Sequence, residues 1–171
     1  MSTAKLEFTQ VTKLKPEALG KPGNRTFRLL VDSGSSSAIL WMEKEQVLQL
    51  ALASKQLTAS LPDLDHNMSS MGPLDREAPE FTNLDLTVIK LVLGHDQDTG
   101  LFIIDVHQLD DEDDSPSIRI WVNKPQMDDF SNEALEVVAA GRPPCALCGA
   151  PIDTSGHKCP RTNGHITSGA L

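Results

Sequence analysis

Two stretches of this chain repeat one another in order, and that repetition restricts the fold more than any other feature. AILWMEKEQV at Ala38–Val47 matches IRIWVNKPQM at Ile118–Met127, setting Trp41 against Trp121, Lys44 against Lys124 and Gln46 against Gln126. FRLLV at Phe27–Val31 matches FIIDV at Phe102–Val106, and LEFT at Leu6–Thr9 matches LDLT at Leu84–Thr87. Three matches in the same order point to internal duplication. Both tryptophans fall at the equivalent position. Core or helix–sheet packing is the plain role for them, and base stacking the sharper one.

Local patterns give each half the same plan. Lys5–Lys13 alternates apolar and polar residues as a strand does, and Pro16–Gly23 reads as a turn region. Phe27–Val31 and Ala38–Met42 are apolar runs around DSGSSS, a hairpin signal. A helix is expected at about Glu43–Gln56, which has no Gly or Pro. The pattern returns with strands at Leu84–Leu93, Leu101–Leu109 and Ser117–Val122. A second helix follows at about Pro125–Ala140, with Pro125 in the tolerated first turn and Gly141 just past the end. The expected fold is therefore α+β, with two duplicated strand-strand-strand-helix units related by a pseudo-twofold axis. They span about 5–57 and 84–141, inside one domain of 1–141 with an irregular connection at 58–83. A zinc knuckle at 142–164 and a flexible tail at 165–171 complete the chain.

The 171 residues suffice for one domain with a real core and a small appendage. No apolar run approaches the roughly 18 residues needed to span a bilayer. MSTAKLEF lacks the basic and apolar regions of a signal peptide, so a cytoplasmic location is expected. A net charge of −9 argues against general phosphate-backbone binding. Part of the acid is the run DDEDD at Asp110–Asp114, expected as a solvated loop, with calcium or a basic partner as the alternative.

All three cysteines lie in CALCGAPIDTSGHKC at Cys145–Cys159. Cys145 and Cys148 can grip one ion from a single tight turn, and His157 and Cys159 supply a second pair. This Cys3His set suits a tetrahedral structural zinc ion. His165 is the second choice for the imidazole. Four protein ligands leave no open coordination position, which disfavours a catalytic metal. Three cysteines do not make a disulfide framework, and metal-held thiols fit a reducing compartment.

LLVDSGSSSAILW at Leu29–Trp41 looks like the catalytic segment of aspartic proteases, with Asp32 as the acid/base residue. In those enzymes two carboxylates share a proton. The partner would come from a second copy or from Asp105, which lacks the following Ser/Thr-Gly. Asp-Ser-Gly-Ser is also ordinary hairpin-loop composition. GKPGNRTF at Gly20–Phe27 reads as a rigid turn, with Asn24 and Arg25 as a ligand-facing pair in the functional alternative.

GKPGNRTF, MEKEQV at Met42–Val47 and VVAAGRPPCALCGAPIDTSGHKCPRTNG at Val137–Gly164 together resemble a bacterial family known as a domain of unknown function in actinobacteria and chloroflexi. The resemblance spans nearly the whole chain. It implies a cytoplasmic protein with a zinc motif at Cys145, Cys148, His157 and Cys159, and it carries no catalytic activity. A fold-level likeness to PUR-type and whirly-type single-strand nucleic-acid binders rests on GLFIIDV…SIRIWVNKPQMDDF.

Three functions are therefore weighed. The first is a non-enzymatic zinc-binding adaptor for another macromolecule, most simply a protein. The second is single-stranded nucleic-acid binding by the sheet, with Lys44, Lys124, Arg28 and Arg119 near the tryptophans. The third is an aspartic-type protease using Asp32. No membrane partner is expected.

Overall fold

The computed structural model describes residues 3–62, 81–111, 114–141, 145–150, 152, 156–162 and 166–167. Most of the 58–83 connection, the Pro143–Pro144 spacer and His165 lie outside the described residues. In chain order the strands are β1 (Leu6–Phe8), β2 (Val11–Lys21), β3 (Asn24–Ser33), β4 (Ser36–Met42), β5 (Asn83–Thr87), β6 (Lys90–His95), β7 (Phe102–His107), β8 (Ile118–Val122), β9 (His157–Lys158) and β10 (Ile166–Thr167). The helices are α1 (Lys44–Ser60) and α2 (Lys124–Ala139).

The fold is mixed α+β, built on two four-stranded sheets ordered β2-β3-β4-β5 and β1-β8-β7-β6. The expected opening strand of each half is in fact two strands. Lys5–Lys13 divides into β1 and the start of β2, and Leu84–Leu93 into β5 and β6. In both cases the pieces enter different sheets. β5 lies parallel to β4 after α1, a strand-helix-strand crossover. β1 occupies the same place beside β8, but it comes from the far end of the chain. Each half therefore lends its neighbour the strand that completes the neighbour's sheet.

β2 also runs through the region expected as a turn. Pro16 pairs opposite Leu29 within it. An edge strand tolerates this, because proline needs no partner for an amide proton that it lacks. The reversal falls later, with Gly20 at φ +101° and Gly23 at +92°. A Cβ on Gly20 would sit 2.5 Å from the Asn24 carbonyl oxygen, so a side chain there meets both strain and backbone.

The helices repeat one packing design. α1 buries Val47, Leu50, Ala51 and Ser54, and α2 buries Met127, Phe130, Ser131 and Ala134 at the same spacing. This i, i+3, i+4, i+7 stripe lies on one helical face, and the two helices pack against each other. α2 also packs on β2, in the other half's sheet. One core runs through both sheets and both helices, from Phe8, Leu29 and Leu40 to Ile104, Ile120 and Phe130.

A matched glutamine fastens the start of each helix to a strand junction. Gln46 accepts the Glu43 amide through its carbonyl oxygen at 2.7 Å and donates to the Val88 and Ile89 carbonyls, where β5 passes into β6. Gln126 accepts the Asn123 amide at 3.0 Å and donates to the Val11 carbonyl at 2.6 Å, where β1 passes into β2. One side chain thus closes a helix N-terminus and holds a strand junction.

β1 has a further fastening. Asp111, on the loop between β7 and β8, departs from the expected solvated acidic run, since its side chain is only 3% exposed. It accepts from Lys5 Nζ at 2.9 Å, Ser117 Oγ at 2.6 Å and the Gln108 amide at 2.9 Å. Burial pushes its pKa up, but the bonds from Ser117, Lys5 and Gln108 outweigh burial and hold it at about 2. A folded-state pKa below the unfolded value stabilises the fold above about pH 4, and this contribution is lost as pH falls through about 2. Asp111→Asn should therefore cost about 2 kcal/mol at neutral pH and little below pH 2. Urea unfolding of both proteins across this range checks it; a constant difference at every pH would refute the linkage.

Candidate metal centre

The two halves of the cysteine segment fold as two small turns facing each other. In the first, the Gly149 amide donates to the Cys145 carbonyl at 2.8 Å and the Cys145 amide to the Ala150 carbonyl at 2.8 Å. Gly149 is at φ +73°, with nothing within 4 Å of a Cβ built there. The second turn is the short antiparallel pair β9–β10, with His157 opposite Thr167 and Lys158 opposite Ile166. A 3-10 turn at Pro160–Thr162 follows Cys159.

These turns bring Cys145, Cys148, His157 and Cys159 together, with all four potential ligand atoms within 4.8 Å of one another. Cys145 Sγ is 3.9 Å from Cys159 Sγ, and Cys148 Sγ is 3.9 Å from His157 Nε2. In a tetrahedron with bonds of about 2.3 Å, the sulfur–sulfur edge is about 3.8 Å. The separations therefore fit one small ion among four ligands, and they are far too long for a disulfide. Cys145 and Cys159 are 5% and 0% exposed, while Cys148 and His157 are half-buried.

The backbone favours the thiolate form of the first cysteine. Amide hydrogens from Cys148 and Leu147 point at the Cys145 sulfur and bring its pKa down to about 6, despite burial. The Cys148 thiol is pulled down by the Ala150 amide, but burial and the neighbouring Cys159 and Cys145 sulfurs leave it above its ordinary value. Crowded thiols can ionise together once a cation shares their charge, so binding is coupled to proton release. The residues fit a soft divalent ion such as zinc.

The other candidate residues lie apart from this cluster. Arg25 donates to the Val137 carbonyl at 2.8 Å and the Val138 carbonyl at 3.1 Å, and its guanidinium lies 4.9 Å from the Phe27 ring centroid. It thus caps the C-terminal end of α2, which has no basic residue of its own in its last turn. A Cβ on Gly141 would come within 2.6 Å of Arg25 Nη2, so this cap also needs the glycine. Asn24 is exposed at the start of β3.

The tryptophans occupy matched settings. Trp41 donates its indole N–H to Asp85 at 2.8 Å, and Trp121 donates to Glu7 at 3.1 Å. Trp121 is 6% exposed; Trp41 is half-buried with the Arg28 guanidinium 5.6 Å from its ring centroid. Arg28 is also paired with Glu17 at 2.8 Å. Asp32 stands 3.9 Å from Lys13, whereas Asp105 is held by both Arg119 Nε and Nη2 at 2.7 Å in the other sheet. Lys44 is exposed and Lys124 half-buried at the helix starts.

Glu7 and Asp85 escaped the sequence reading. Their signal was the LEFT/LDLT match, which places an acid at the same point of each copy. Leu147 also went unremarked, although it sits between the paired cysteines and is 47% exposed.

No described helix is long and apolar enough to cross a membrane. No curated protein and no solved structure matches the chain. The family described as "Protein of unknown function (DUF3090)" matches residues 6–159. That match takes in both sheets, both helices and all four residues of the cluster, and the chain belongs to this family.

Proposed function

We propose that the protein is a zinc-binding, non-enzymatic module that docks another protein in the bacterial cytoplasm. The observation that carries this is the Cys3His cluster, with every ligand atom within 4.8 Å of the others. Four protein ligands complete a tetrahedron and leave no place for an activated water, which favours a structural role for the ion. The ion would fold a segment too short to stabilise itself by burial. We also propose residues 142–164 as the knuckle unit, with the duplicated body as its scaffold. Leu147, exposed on the first metal-binding turn, gives a partner an apolar contact on a rigid support.

The other functions draw less support from the contacts. Stacking of bases needs open aromatic faces, and Trp121 is 6% exposed. A shared-proton pair needs adjoining carboxylates, whereas Asp32 stands near Lys13 and Asp105 is taken up by Arg119.

Native mass spectrometry of freshly purified protein should show one zinc ion per chain, with elemental analysis identifying the metal. Protein that carries all three thiols reduced yet takes up no zinc would end this reading.

A further inference from the structure

The four ligands divide into two pairs by burial and by distance. Cys145 and Cys159 are sequestered, with their sulfurs 3.9 Å apart. Cys148 and His157 are half-buried, with sulfur and Nε2 also 3.9 Å apart. The chain has only these three cysteines. Any disulfide within one molecule therefore forms inside the cluster and leaves one thiol over.

We propose, resting on the metal reading above, that the cluster is also a thiol redox centre. Oxidation by a peroxide joins Cys145 to Cys159, expels the ion, and leaves Cys148 beside His157 as the free thiol. Access selects the entry point, since Cys148 is the most exposed of the three cysteines. Its thiolate attacks hydrogen peroxide, the O–O bond breaks, and hydroxide leaves, giving a sulfenic acid. The Cys145 thiolate, on the same turn, attacks that sulfur and expels a second hydroxide, forming a Cys145–Cys148 disulfide. The Cys159 thiolate then attacks the Cys145 sulfur, and Cys148 departs as a thiolate. The peroxide gains two electrons, one from each sulfur of the final disulfide, and the two hydroxides take protons from solvent.

The product has a defined architecture. Cys148 and His157 alone are too few to hold a closed tetrahedral ion. The Cys145–Cys159 bond takes over the cross-link between the two turns, so the knuckle stays joined without metal. The remaining thiol is the half-buried one, 3.9 Å from the His157 ring, and it is placed to exchange with thiols or disulfides of another molecule.

The test titrates the metal-loaded protein with hydrogen peroxide. A colorimetric chelator follows released zinc, and alkylation with peptide mapping assigns each cysteine. One ion released per chain, two of three thiols lost, a cross-linked Cys145–Cys159 peptide and an alkylated Cys148 are expected. Reductant with added zinc should restore the starting state. Zinc retained and three thiols intact under excess peroxide would overturn the proposal, as would a disulfide containing Cys148 that persists once the reaction has run to completion. If the purified protein carries no metal, the zinc reading fails by itself. The same mapping on metal-free protein still decides the thiol chemistry.

Discussion

Arg119→Ile by itself is expected to destabilise the protein by about 3–5 kcal/mol, because it strands the Asp105 carboxylate in a covered part of the sheet. The Arg119 side chain is 7% exposed and that of Asp105 is 14% exposed, with both guanidinium contacts at 2.7 Å. The Asp105 hydrogen bond raises the arginine pKa further above its already high ordinary value, with Glu7 adding to it. The matching strand pairings of the two sheets supply the control. Asp105 and Arg119 are cross-strand partners on β7 and β8, and Leu30 and Ile39 hold the corresponding places on β3 and β4. Asp105→Leu combined with Arg119→Ile writes the first sheet's apolar pair into the second. The double variant should recover most of the single variant's loss, since replacing both members of a buried pair is often neutral. Urea midpoints for the wild type and both variants measure this. A double variant as unstable as Arg119→Ile would show that the pair does more than neutralise itself.

The second large effect concerns the metal. Chelation, or Cys159→Ser, should remove the ordering of the knuckle while the body up to Gly141 keeps its fold. Closed zinc sites of this type are coupled to folding by on the order of 10 kcal/mol. The rest of the chain has a core that includes none of the four ligands. Hydrogen exchange should rise to unprotected rates across the knuckle and stay unchanged in β2–β4 and both helices. Equal loosening of the body would mean that the segment is part of one cooperative unit, and an unchanged knuckle would mean that metal does not fold it.

Much of this was legible in the sequence, and what was missed has a physical reason. Both helices were visible because Glu43–Gln56 has no Gly or Pro, and because Pro125 and Gly141 bracket the second, all of them local signals. The Cys3His cluster was visible because the spacing of such residues along the chain decides whether two tight turns can bring them together. The divided strands were harder. Apolar residues recur all the way from Leu84 to Leu93, yet their positions move from Leu84, Leu86 and Val88 to Leu91 and Leu93. That slip by one residue is the mark of a strand changing sheets, because a single sheet keeps one face throughout. Pro16 misled in the other direction: proline suggests a turn, but an edge strand has no use for the missing amide hydrogen. The buried position of Asp111 and the Arg25 cap on α2 were not legible, since each joins residues distant along the chain.

The borrowed strand has a consequence for how the protein is made. During synthesis β2 to β5 can assemble as they emerge, because every partner of that sheet is already present. β1 leaves the ribosome ahead of that sheet, yet its strand neighbour among the described residues, β8, ends at Val122. A strand made ahead of that sheet must therefore wait until β8 has been made, with its ladder of amides and carbonyls unmatched. Its brevity, three residues with Glu7 at the centre, keeps that interval from becoming an opportunity for misassembly.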